Sequence, residues 1–260
     1  MDCKNRRKGE QMIQIEKTEI YGWEAAIRGM RNPLNSWAKS DSFMCKEDES
    51  GEAYKICKTC PKFGKCEIYD DAEHFIVGSN DLDLMKRLTK AGDDHGKVAR
   101  YLEVYVDITA PFYFWKEFRT YRKGRKFMDD GDELLDPDDF EMHIETNSCS
   151  TMHKIHAKEF TLDDFSTEHL MAGALDVMNT TIDHLNFCRR WFLAEGKKEW
   201  WWQMIQLLPS SYNQKRTVKL NYQVLKNMYH ARKNHKLDEW RVLCEWIESL
   251  PYSELITGND

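Results

Sequence analysis

The sequence has no apolar run approaching the 20 or so residues that cross a bilayer, so no membrane-spanning helix is expected. It has no basic surplus either. Lys and Arg number 38 against 44 Asp and Glu, for a formal net charge of −6, which argues against a general nucleic-acid binder. The start is basic (Lys4, Arg6, Arg7, Lys8), but no apolar segment follows, so no secretory signal is expected and a cytoplasmic protein is inferred. No internal repeat and no strong linker divide the chain. What remains is the composition of a water-soluble globular protein, 41% hydrophobic and 32% charged. Nine Trp, eleven Tyr and twelve Phe promise large buried or ligand-stacking surfaces. In a reducing compartment the eight Cys are thiols or metal ligands before they are disulfides.

Residues 1–20 are charged and read as flexible at the start. A short helix begins near Tyr21 and should end at Asn32-Pro33. Arg28 and Arg31 on it share a face, either as solvated side chains or as an anion contact. Residues 80–91 form a helix that Asn80 or Asp81 can cap and Gly92 stops, with Leu82, Met85 and Leu88 on one side. From Tyr101 to Thr109, Leu102, Val104, Val106 and Ile108 alternate with polar or aromatic residues, which marks a strand. Pro111 then opens an aromatic helix from Phe112 to Arg122. Residues 125–146 carry nine Asp or Glu and read as a solvated acidic insertion. Thr161 and Asp164 have the spacing of a capping box, so a long helix is expected from there to about Ala194. A Trp-rich helix, 197–208, ends at Pro209, and Leu237, Trp240, Cys244 and Ile247 line a last helix closed by Pro251.

Two stretches carry candidate chemistry. In Leu207–Trp240, Asn221, Leu225, Met228 and Arg232 are spaced 4, 3 and 4, one stripe of a helix. The stripe offers a carboxamide that can read a ring edge and a guanidinium that can grip an anion or a uracil-like oxygen, or it is the rim of a surface helix. The other stretch is Cys45-x11-Cys57-x2-Cys60-x5-Cys66. Four thiolates at this spacing can close a tetrahedral shell, with zinc ahead of an iron–sulfur cluster; otherwise they are reduced thiols of an insertion. His153-x2-His156 is a poor metal pair, with no acid at metal spacing. The organisation expected is an N-terminal segment, 1–79, bearing the Cys-rich insert 45–66, and an α/β (α+β) domain, 80–260, interrupted at 125–146.

Three blocks resemble the flavin-dependent thymidylate synthases. Leu84–Arg122, LMKRLTKAGDDH followed by YLEVYVDITAPFYFWKEFRTYR, is similar to the family's helix, His-bearing turn, strand, Ala-Pro and helix leading into its Arg-His-Arg signature. NSCST, Asn147–Thr151, resembles the serine-bearing far half of that signature. The third block runs from Leu208-Pro209 through Thr217, Val218, Asn221, Leu225, Asn227, Arg232 and His235. The resemblance spans roughly residues 80–124 and 146–250. It implies a small antiparallel sheet with several long helices, a homotetramer, FAD held between subunits, and a methylene group passed from a folate to C5 of dUMP with reduced flavin and no protein nucleophile. It implies nucleotide contacts at Arg122, Ser148 or Ser150, and Arg232, and flavin contacts at His95, Tyr121, Asn221, Gln223 and Asn227. Thr120 and Tyr121 stand where the signature has Arg and His, Met152 where it has a further Arg, and Gln223 replaces an Arg. The residues after His95 depart from the family's motif. The alternative on the same scaffold is a nucleotide-binding protein without catalysis.

Overall fold

The computed structural model describes residues 13–45, 74–92, 94–121 and 144–258. The chain enters with strand β1 (Gln14–Tyr21) and helix α1 (Trp23–Arg31), whose last residues run into a 3-10 turn at Asn32–Leu34. Proline at the second position of that turn ends the α-helix where the sequence indicates. A short hairpin pair, β2 (Phe43–Cys45) and β3 (His74–Ile76), flanks undescribed residues. Then come α2 (Ser79–Lys90), the one-turn α3 (Val98–Tyr101), β4 (Glu103–Pro111) and α4 (Phe112–Phe118), which a 3-10 turn prolongs through Tyr121. After β5 (Glu145–Ser148) the chain forms a helical hairpin of α5 (Ala172–Glu195) and α6 (Lys198–Leu207). It closes with β6 (Asn213–Asn221), α7 (Tyr222–Arg232), α8 (Asp238–Ser249) and α9 (Glu254–Thr257).

Four strands form one antiparallel sheet in the order β1-β4-β6-β5. Strand β4 is central because it obeys a strict two-residue period: Val104, Val106, Ile108 and Ala110 are buried, and their neighbours face outward. Its outer side is polar. Lys215 bridges Glu16 and Asp107 at 3.0 and 3.2 Å, and Lys219 pairs with Glu103 at 3.0 Å. On the inner side the main core takes Ala26, Ile27 and Met30 of α1 and Met85 of α2. Leu225 and Met228 of α7 and Trp240 and Ile247 of α8 complete it. A second, smaller cluster (Ile155, Phe160, Phe165, Leu185, Met204) lies under the α5–α6 hairpin. Gly22 joins β1 to α1 at φ 96°, and a side chain there would collide with the Tyr101 carbonyl, so both backbone and space require glycine.

The mixed helix and small-sheet class is as expected, as are α2, β4 and α8. Four local expectations are corrected. Residues 14–21 form an edge strand with a bulge between Glu16 and Glu19. The cap of α2 comes from Asp41, whose carboxylate accepts the N–H groups of Asn80 (2.9 Å) and Asp81 (3.1 Å). Asp81 is instead buried against Arg31. The capping box of Thr161 and Asp164 is present, but it opens a single 3-10 turn; the long helix starts at Ala172, after Phe165 has bridged to Tyr212. Finally, the stretch Leu207–Trp240, read for its helical stripe, contains a strand ahead of that stripe: β6 is the second inner strand of the sheet.

Candidate functional site

Helix α4 carries two different surfaces, because residues three and four apart stack on one face and adjacent ones point about 100° apart. Glu117 and Tyr121 lie on the face toward α7 and α8. There the Arg232 guanidinium is held on three sides. Its Nε donates to the Tyr121 hydroxyl at 2.5 Å and its Nη1 lies 3.2 Å from the Glu117 carboxylate. Its plane sits 4.8 Å from the Trp240 ring centre and 5.3 Å from that of Tyr121. Trp240 Nε1 donates to the same Glu117 carboxylate at 3.2 Å, and His235 Nε2 is 3.8 Å from it. The Arg232 side chain keeps 20% exposure. The nest is a preorganised cation against two aromatic rings, and among the described residues its Nη2 has no hydrogen-bond partner.

Phe112, Trp115, Lys116 and Arg119 occupy the other face, at i, i+3, i+4 and i+7. They line an open cavity of about 570 Å³ together with Leu208, Ser210 and Arg216 of β6. The alternation of β6 puts Gln214, Arg216, Val218 and Leu220 on the core side. Val218 and Leu220 are buried apolar residues; Arg216 stands where a third would be expected, opposite Ile108 and Ser148 in register. Its guanidinium lies over the Trp115 ring at 4.4 Å. Burial and the Arg119 charge push its pKa down to about 10, so it stays charged at neutral pH. Gln214 aims it. The Gln214 amide donates to the Cys149 carbonyl at 2.7 Å, which leaves its oxygen to accept from Arg216 Nε at 3.0 Å. Among the described residues no carboxylate pairs with Lys116, Arg119 or Arg216.

The expected site residues divide. Tyr121 and Arg232 are brought together as one cluster. Asn221 is buried and caps α7, its Oδ1 accepting the Val224 N–H at 3.0 Å, so the stripe read from Asn221 to Arg232 begins with a cap and not with an outward carboxamide. Gln223 is buried and its amide reaches Asn227 Oδ1 at 3.4 Å. His95 is exposed in a turn, its N–H bonded to the Gly92 carbonyl. Ser148 ends β5 opposite Arg216, and Ser150 accepts the His153 N–H at 3.0 Å; both are exposed and neither lines the cavity. His153 turns to Ser150 (Nδ1 to Oγ, 3.3 Å) and His156 packs on Phe192, so the two are not a metal pair. Arg122, Cys57, Cys60 and Cys66 lie outside the described residues, and Cys45 is placed only by its backbone, opposite His74. Among the described residues no group of three His, Cys, Asp or Glu could hold a metal ion, and no helix is long and apolar enough to cross a membrane. Of the expected flavin contacts, Tyr121, Asn227 and His95 remain at least partly accessible, and Asn221 and Gln223 are spent inside the subunit.

Sequence reading missed Lys116, Arg119, Gln214 and Arg216. A signal existed for the first two, since a helical stripe pairs them with Phe112 and Trp115. The other two become visible only once β6 is recognised as a strand.

No family model and no curated protein matches the sequence. The fold does have solved counterparts. A crystal structure of the flavin-dependent thymidylate synthase of Helicobacter pylori, complexed with FAD and dUMP, superimposes with a TM-score of 0.58 at 13% identity. That match covers 95% of this chain and 99% of the other. A second structure of the Helicobacter pylori enzyme with FAD and dUMP gives a TM-score of 0.56 at 13% identity, covering 95% and 97%. At this identity the likeness is one of fold.

Proposed function

We propose that this chain is a divergent flavin-dependent thymidylate synthase-like protein that binds a pyrimidine deoxynucleotide and transfers a one-carbon unit to its C5. The observation that carries the reading is the Arg232 nest. On a scaffold whose solved counterparts hold FAD and dUMP, the guanidinium matched by the resemblance is fixed by Glu117, Tyr121 and Trp240 with one edge left open. A cation held on a pyrimidine ring oxygen would stabilise the enolate-like form of the ring, with negative charge on that oxygen, in which C5 is nucleophilic toward a methylene donor. Binding energy on the remainder of the nucleotide sets the geometry of that attack. Reduced FAD would supply the reducing equivalents. His95, Tyr121 and Asn227 would meet it, and a folate would bring the carbon.

The homotetramer belongs to the same reading. The α5–α6 hairpin exposes Val177, Phe187 and Trp191 along one side of α5, an apolar surface on which copies would meet.

A specific observation favours the second reading, nucleotide binding without turnover: Asn221 and Gln223 are committed within the subunit. The test separates the two. Freshly purified protein that is yellow, or takes up FAD, and oxidises NADPH only with dUMP present supports the enzyme. Thermal stabilisation by dUMP, abolished in Arg232→Ala, with no flavin uptake supports the binding protein. No response to dUMP from the wild type overturns both.

A further inference from the structure

We infer that the cavity between α4 and β6 is a binding site for a phosphate monoester, its dianionic head set among Lys116, Arg119 and Arg216. The inference rests on the cavity's own residues and does not need the pyrimidine reading of Arg232.

Three arguments support it. First, the cations come from two separate elements and line one opening, with no carboxylate among the described residues that line it. Surface Lys and Arg ordinarily scatter or pair, and like charges brought together cost free energy unless an anion joins them. The mutual effect is evident at Arg216, whose charged form is disfavoured by burial and by Arg119. Second, Arg216 occupies an inner-face position of a sheet, where a core residue would be the ordinary choice. It is oriented there by Gln214 and braced on Trp115, so its Nη atoms form a fork of fixed direction, the geometry that suits phosphate oxygens. A local rule broken this way, with dedicated support, marks a site more often than a defect. Third, the chemistry of the walls fits an ester better than a bare ion. Ser210 adds a hydroxyl near the cations, and Phe112 and Leu208 give the rest of the cavity an apolar lining. A volume of about 570 Å³ accommodates a head group with a sugar-sized body. A single carboxylate would leave two of the three charges uncompensated, and a phosphate dianion only one. A nucleic-acid backbone would need a continuous basic track, which a chain of net charge −6 does not suggest.

The experiment is calorimetric titration of the full chain at low ionic strength, since salt screens such contacts. The probes are inorganic phosphate, ribose 5-phosphate, ribose and dUMP. The expected result is that ribose 5-phosphate binds more tightly than inorganic phosphate and ribose does not bind. Lys116→Gln/Arg119→Gln, two exposed positions, and Arg216→Gln should each weaken ribose 5-phosphate binding at least tenfold. Arg232→Ala should leave it unchanged. The double variant keeps the test valid should Arg216→Gln fold poorly. Wild-type protein that ignores both phosphates, variants that bind as the wild type does, or loss of ribose 5-phosphate binding in Arg232→Ala would each overturn the proposal. If dUMP binds and depends on Arg232 while ribose 5-phosphate does not bind, the nucleotide reading survives and this one fails.

Discussion

Arg31 and Arg216 both turn a guanidinium toward the interior, and the two regions around them are built in opposite ways. Arg31 is 4% exposed, and each of its three nitrogens has a partner. Nε meets Asp81 at 2.6 Å, Nη1 meets the carbonyl and hydroxyl of Ser36, and Nη2 meets the Lys39 carbonyl at 3.1 Å. Asp81 is completed in turn by the hydroxyls of Ser40 and Ser42 and two backbone N–H groups. Arg216 has one amide oxygen, one indole ring and a neighbouring cation. A buried charge whose surroundings are complete is a fastener. A partly buried charge with no counter-charge among the described residues is open to a ligand, which is the role proposed above for Arg216.

The largest effect is expected where the surroundings are complete. Asp81→Asn leaves Arg31 buried and unpaired, which should cost about 3–5 kcal/mol of folding stability in urea titrations. The double change Arg31→Met/Asp81→Leu should cost less than the single one, because no orphan charge remains. The pH dependence follows from the same contacts. Burial opposes ionisation of Asp81, yet its hydrogen bonds to Ser42, Ser40 and Arg31 prevail and hold its pKa below the usual carboxylate value. Its contribution is therefore present above the unfolded carboxylate pKa near 4 and is lost as pH falls through the lower, folded value. An Asp81→Asn protein with the wild-type acid limb would show that the cluster is not the fastener described.

An intermediate effect is expected at Asn221, where the resemblance suggests a cofactor contact and the geometry shows a cap. Asn221→Ala should lower stability by about 1 kcal/mol, and Asn221→Asp or Asn221→Ser should restore most of it, since either side chain can accept the Val224 N–H. A loss of flavin uptake in Asn221→Ser at wild-type stability would return the residue to the cofactor.

How far the molecule was legible depends on whether a segment's pattern had one cause. Strand β4 was readable because burial alone sets its alternation. Helix α8 was readable because Trp240, Cys244 and Ile247 all face the core. Strand β6 was hidden because half of its inner face is polar: with Gln214 and Arg216 in place of aliphatics, NQKRTVKLN offers only Val218 and Leu220 to a two-residue apolar period. Strand β1 was hidden because its bulge breaks the two-residue period. The start of α5 was misplaced because a genuine capping box serves a 3-10 turn. At the site, Arg232 and Tyr121 could be named from order along the chain, but nothing in that order reveals that Gln223 is buried. The Arg216 cavity depends on a strand the pattern conceals, so it could be found only from the fold.

The smallest effect, and the sharpest use of the comparison, belongs to Arg216 itself. Arg216→Gln breaks no ion pair. It removes a guanidinium–indole contact worth about 0.5–1 kcal/mol and the hydrogen bond to Gln214 Oε1, which the new amide can replace only in part, and it also removes a partly buried charge that burial and Arg119 disfavour. The losses and the gain oppose each other, so the ligand-free variant should lie within about 1 kcal/mol of wild type in the same urea titrations that show the loss in Asp81→Asn. A residue kept for folding could not be exchanged so cheaply from the inner face of a sheet. If Arg216→Gln instead destabilises the free protein as much as Asp81→Asn does, its environment is complete in some way the contacts around it do not reveal, and the contrast between the two arginines disappears.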